Sequence, residues 1–100
     1  MVKHIILWQL KDELSGEEEI KVKKEMKEAL ESLVGIIPGL KELKVQTEKL
    51  SGSNADIMLD STFESAEALQ GYAIHPEHVY VADKNVRPFT KMRMCIDFEV

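Results

Sequence analysis

Residues 2–10 read VKHIILWQL, and this segment limits the fold more than any other. It is β-branched and aromatic, as strands are, and charged residues border it. Its even positions are Val2, His4, Ile6, Trp8 and Leu10, and its odd positions include Ile5 and Leu7. Both faces are therefore apolar in the middle. A sheet with one wet face alternates apolar and polar side chains more cleanly. A strand of this kind belongs in a sheet that is covered on both sides.

The rest of the chain indicates what covers it. Ser15 followed by Glu18 has the spacing of a capping box, and Glu17 and Glu19 also suit a helix N-terminus. A helix is predicted over about 16–34, with Ile20, Met26, Ala29, Leu30, Leu33 and Val34 as its buried stripe. Gly35 suits the position just beyond it, and Pro38-Gly39 closes the connection. A second strand is expected within 40–50, with Leu43, Val45 and Thr47 alternating, and LSGSNAD is the turn that follows. The third strand is predicted over 56–63, with Ile57, Leu59 and Phe63 on one face and Met58, Asp60 and Thr62 on the other. Ser65 is placed to cap a short helix ending near Tyr72. His75 precedes a proline and is biased away from helical geometry. Pro76 suits the first turn of another helical piece, running to about Val86. The last strand is predicted over 89–98. Met92, Met94, Ile96 and Phe98 share one of its faces, and Arg93, Cys95 and Asp97 the other.

The order is βαββαβ over a single domain, 1–100. It predicts an α+β, ferredoxin-like fold with a four-stranded antiparallel sheet. Helices in that order cover only one sheet face. The other is expected to meet a second copy, sheet to sheet, in a two-fold homodimer.

Charge and cysteine content narrow the partners. Eighteen acidic residues stand against thirteen basic ones, a net charge of -5. The bases are interleaved with acids, which argues against nucleic acid and anionic membranes as partners. No apolar run approaches the roughly 20 residues that span a bilayer, and MVKHIILWQL is too short and mixed for a signal peptide. Cys95 is the single cysteine, so no intramolecular disulfide is possible. That fits a reducing compartment, and a cytoplasmic protein is expected.

The chemistry-bearing residues concentrate in YAIHPEHV, residues 72–79. His78 is the prime candidate for a general base, because imidazole titrates near neutrality. The Tyr72 hydroxyl can orient it or donate to a developing enolate. The plainer reading of His78 is a helix-start histidine bonded to nearby backbone. His75 reads either as a site residue or as a turn residue that fixes the Pro76 entry. His4 shares a strand face with Ile6 and Trp8, so it is either a satisfied core histidine or a cavity residue. Arg93 can receive a carboxylate or enolate if its face lines a cavity; otherwise it is a charge at an exposed strand edge. Cys95 has no evident base beside it and reads as inert. His75, His78, Glu77 and His4 offer metal donors in principle. Pro76 breaks the His-x-x-His register, however, and no second ligand pair exists, so no metal is expected. There is no phosphate loop, Ser-His-Asp order or HExxH motif.

The stretches VKHIILWQLKDELS, IIPG and TFESAEALQGYAIHPEHVYVADKNVRPF, together with Asp97-Phe98 near the end, resemble the Dabb family of stress-responsive A/B barrel proteins. The resemblance spans essentially the whole chain, and HPEH is its most specific part. It implies a homodimer of ferredoxin-like subunits with a small-molecule cavity between sheet and helices, and no cofactor. A plant enzyme of the family closes a linear polyketide thioester by intramolecular aldol condensation. Its catalytic tyrosine and histidine match Tyr72 and His78. The expected lining is His4, Ile6, Trp8, Met26, Leu30, His75 and Arg93. Met26 and Leu30 stand where that enzyme carries aromatic residues, and Ile57 and Thr90 where it has a histidine and a tryptophan. The implied function is acid–base chemistry on a carbonyl compound, by aldol-type cyclisation or isomerisation. The alternative is a non-catalytic, stress-associated dimer that binds ligands or partners. Cofactor-free oxygenation of aromatic substrates is a third possibility, by fold analogy alone.

Overall fold

The computed structural model describes residues 1–100. Its four strands are β1 (Val2–Leu10), β2 (Leu40–Gln46), β3 (Ile57–Phe63) and β4 (Thr90–Glu99). They form one antiparallel sheet in the order β2-β3-β1-β4. The helices are α1 (Gly16–Glu31), α2 (Ala66–Ile74) and α3 (Pro76–Val81). This is the ferredoxin-like arrangement. No helix is long and apolar enough to cross a membrane.

The core lies between the helices and one sheet face. Val2, Ile6, Trp8 and Leu10 of β1 join Leu59 and Phe63 of β3 in a single buried cluster with Val22, Met26 and Leu30 of α1 and Tyr72 of α2. Strand register carries this face onto the edge strand. His4 pairs with Asp97, Ile6 with Cys95 and Trp8 with Arg93, and residues directly opposite one another share a face. Arg93, Cys95 and Asp97 therefore lie on the helix side. Met94, Ile96 and Phe98 lie on the open side and are exposed.

Four local expectations change. The inward stripe of α1 is Val22, Met26 and Leu30, spaced four apart. Ile20, two residues before Val22, turns away from it and is 67% exposed. The helix ends at Glu31, so Val34 falls in the following turn and is also exposed. Glu31 sits where the helix end meets β2. Its carboxylate accepts the Val45 N–H at 2.9 Å and the Lys27 ammonium at 2.8 Å. Burial alone would raise its pKa, but these partners hold it below the ordinary value. Ser15 occupies the N-cap in an extended conformation, yet its side chain makes no capping bond, so the capping box does not form. β2 lies within the expected 40–50 but stops at Gln46, so Thr47 falls outside the strand.

Gly39 fixes the turn into β2. Its φ is +83°, and a Cβ there would meet the Ala68 Cβ at 2.5 Å. Only glycine permits both the left-handed backbone and that approach of α2.

Candidate functional site

Capping chemistry sets the site. The Ser65 hydroxyl accepts the Ala68 N–H at 3.1 Å and starts α2, which carries Tyr72 on its buried side. His75 then breaks the helix. Its backbone is extended, as the following proline favours, and its Nδ1 accepts the Glu77 N–H at 3.1 Å. His75 thus caps α3, with Pro76 in the first turn. The restart carries His78 back under α2, where its ring lies against Tyr72 with centroids 4.2 Å apart and planes at 35°. α3 continues into a π-helical turn, Ala82–Val86, and a short 3-10 turn, Arg87–Phe89. The π-helical turn is the wider of the two, and such turns are frequent at functional sites.

Between these elements and the sheet is a recess of about 260 Å³, to which Tyr72, His78, His4, Trp8, Arg87 and Arg93 all contribute. Ile6, Leu30, Leu59 and Leu69 supply much of its apolar wall. The size is near the lower end for small-molecule pockets.

The hydrogen bonds define protonation states. His78 Nδ1 lies 3.2 Å from the Ala73 carbonyl oxygen. A carbonyl only accepts, so Nδ1 carries the proton, and Nε2 of the neutral ring is left with its lone pair. Burial lowers the His78 pKa, and the charges of Arg87, His4 and Arg93 add to the effect against the Ala73 bond. The ring is therefore neutral at pH 7. Tyr72 is almost fully buried, and its hydroxyl has no protein hydrogen-bond partner. Desolvation raises its pKa far above the ordinary phenol value, only partly offset by Arg93. It remains a proton donor across the physiological range.

His4 forms the floor. Its Nδ1 lies 2.5 Å from Asp97 Oδ1. Its ring centroid is 6.2 Å from both Phe63 and Tyr72 in edge-on geometry. The buried Ser61 hydroxyl donates to the His4 backbone carbonyl at 2.8 Å. Burial pushes the Asp97 carboxyl up, but the hydrogen bond and charge of His4 bring it below the usual value. Burial pushes the Cys95 thiol up, and Asp97 adds to this. His4, Cys95 and Asp97 bring possible ligand atoms within 4.8 Å of one another. The Sγ–Nδ1 and Sγ–Oδ1 separations are 3.7 and 3.4 Å, compatible with tetrahedral zinc. Nδ1 and Oδ1, however, are bonded directly, not spaced by the roughly 3.3 Å of two zinc ligands. Arg93 also bears on both Cys95 and Asp97. The trio reads as a hydrogen-bonded network.

Of the residues singled out in the sequence, His4, Ile6, Trp8, Leu30, Tyr72, His78 and Arg93 meet at the recess. Met26 is fully buried in the core behind it. His75 faces a separate surface depression beside Gly39 and Gly71. Thr90 and Arg87 line the recess, and Asp97 holds His4 from outside it. His4 and Asp97, 93 positions apart, are brought together only by strand register.

Comparison with known proteins agrees with this fold. The family described as Stress responsive A/B Barrel Domain (Dabb) matches residues 2–100. Olivetolic acid cyclase of Cannabis sativa is 34% identical over 100 residues, covering 97% of this chain and 94% of that protein. A dimeric protein of unknown function with a ferredoxin-like fold, from Bacteroides fragilis, superposes with a TM-score of 0.91. It is 34% identical, over 99% of this chain and 95% of that one. A protein from Arabidopsis thaliana superposes with a TM-score of 0.82 at 27% identity, over 100% and 95% of the two chains.

Proposed function

The chain belongs to the stress-responsive A/B barrel (Dabb) family, and from that premise we propose a cytoplasmic homodimer whose recess takes up a carbonyl compound. His78 and Tyr72 then carry out acid–base chemistry on it, with no cofactor. The observation that carries this reading is the Ala73 bond to His78 Nδ1, which leaves Nε2 free as a base beside an unpartnered tyrosine hydroxyl.

His78 Nε2 takes a proton from the carbon next to a carbonyl. The C–H electron pair moves into the enolate, whose oxygen accepts a hydrogen bond from Tyr72. The enolate carbon attacks a second carbonyl of the same molecule and forms the ring-closing C–C bond. The new alkoxide recovers the proton from His78. Atoms and charge balance without an outside reagent. The relative named as a cyclase supports ring closure as the reaction type. A base with a depressed pKa is available at neutral pH.

The homodimer reading rests on the open face of β4, where Met94, Ile96 and Phe98 are exposed side by side. Burying them against a second copy removes a contiguous apolar surface from water. The Bacteroides relative, described as dimeric, supports the same assembly.

The test is turnover of a linear polyketide thioester, followed by the cyclised product. His78→Ala is expected to lower the rate by about 10²–10⁴-fold. Tyr72→Phe is expected to cost up to about 10²–10³-fold, as loss of one oxyanion donor does. Equal rates in wild type and His78→Ala would remove the catalytic role. Uptake of the compound without any product would leave a binding dimer.

A further inference from the structure

We infer that Arg93 makes the recess selective for an anionic ligand, specifically a carboxylate carried on an apolar or aromatic body. The inference rests on the reading of the recess as a ligand site.

Arg93 lies opposite Trp8 in the β1–β4 register and lines the recess. It has no carboxylate within ion-pair distance. The other arginine at the recess, Arg87, is paired with Asp83 one helical turn away. Asp97, the acid on the same strand face as Arg93, is bonded to His4 at 2.5 Å. Arg93 is thus the arginine of the site with no direct carboxylate partner, its nearest polar neighbours on the strand being Cys95 and, more remotely, Asp97. Its charge is felt at both Tyr72 and His78, which places it beside the proposed chemistry.

The chain as a whole carries a net charge of -5 and repels anions at long range. The arginine is therefore a local feature and not part of a general basic surface. Guanidinium matches a carboxylate with two parallel hydrogen bonds, which fixes orientation as well as affinity. A ligand held this way directs its body onto Ile6, Trp8 and Leu30, toward His78. Arg93 is exposed, so solvent screening keeps the gain modest. A preference of about fivefold is expected for an acid over its uncharged analogue.

Trp8 is the only tryptophan, so its indole N–H gives a single reporter signal by NMR at the recess wall. We would titrate 3-phenylpropanoate and the similarly sized 3-phenylpropanamide into the wild type and into Arg93→Gln and Arg93→Lys. The acid should move the Trp8 signal at about fivefold lower concentration than the amide, and added salt should erode that advantage. Arg93→Gln should abolish the preference, so that acid and amide bind alike, while Arg93→Lys should keep part of it. Unchanged circular dichroism and thermal unfolding in each variant show that the fold is retained. Equal binding of acid and amide to wild type would overturn the inference while leaving the recess as a ligand site. So would a preference that survives Arg93→Gln. Failure of both compounds to shift the Trp8 signal would overturn the inference and the ligand-site reading together.

Discussion

The two faces of the sheet come from the same strands and have opposite character. On the helix side, alternate residues of β1 and β3 are buried almost completely, and the polar residues among them, His4 and Ser61, are hydrogen-bonded. On the open side, Ile5 and Leu7 are half-buried, and Met94, Ile96 and Phe98 lie exposed across from them. One face is a finished core with a recess at its margin, where polar groups are placed for chemistry. The other is apolar without being packed along β1 and β4, and polar toward β3, where Asp60 pairs with Lys3. The first accounts for the fold; the second is the face proposed to meet a second copy.

The sharpest way to break this contrast is to place the same charge on each face. Leu59→Asp puts a carboxylate at a site only 1% exposed. The cost, on the order of 5 kcal/mol, is comparable to the whole stability of a domain this size. The variant should be unfolded by circular dichroism at 25 °C. Ile96→Asp puts the charge on the open face, at a site 59% exposed. It should leave the fold intact and shift the mass measured by light scattering from dimer to monomer. Similar unfolding in both variants would erase the distinction between the faces. A smaller effect is expected from Gly39→Ala, which forces a side chain against Ala68 and into a left-handed backbone. A loss of about 1–3 kcal/mol is expected in denaturant unfolding.

The smallest effect concerns pH. His78 has its pKa lowered by burial, so the unfolded chain takes up a proton near pH 6.5 that the folded chain refuses. Stability should decline as pH falls from about 6.5 toward the folded-state value and level off below it. His78→Gln should flatten that decline in a pH series of unfolding curves.

Much of the fold was legible because its signals are local. The β-branched and aromatic run VKHIILWQL announced the first strand, and Pro76 marked the helix restart. The misreadings have local causes as well. Ser15 has the residue type and spacing of a capping box, but its side chain makes no capping bond. Ile20 is apolar yet lies off the Val22–Met26–Leu30 line. The surroundings of the site were less legible because strand register assembles them. The pairing of His4 with Asp97, and the placement of Arg93 opposite Trp8, depend on which residues face each other across β1 and β4. Periodicity shows that Arg93, Cys95 and Asp97 share a face, but not which one. The direction of the His78 ring depends on the Ala73 carbonyl, which carries no side-chain signal at all.

The central claim is that His78 presents a bare Nε2 as a base in the recess. Nitrogen-15 NMR of the imidazole tests it without any substrate. The neutral ring should be protonated on Nδ1 and bare on Nε2, and should titrate below 6.5. A neutral ring protonated on Nε2, or a titration above 6.5, would contradict the account.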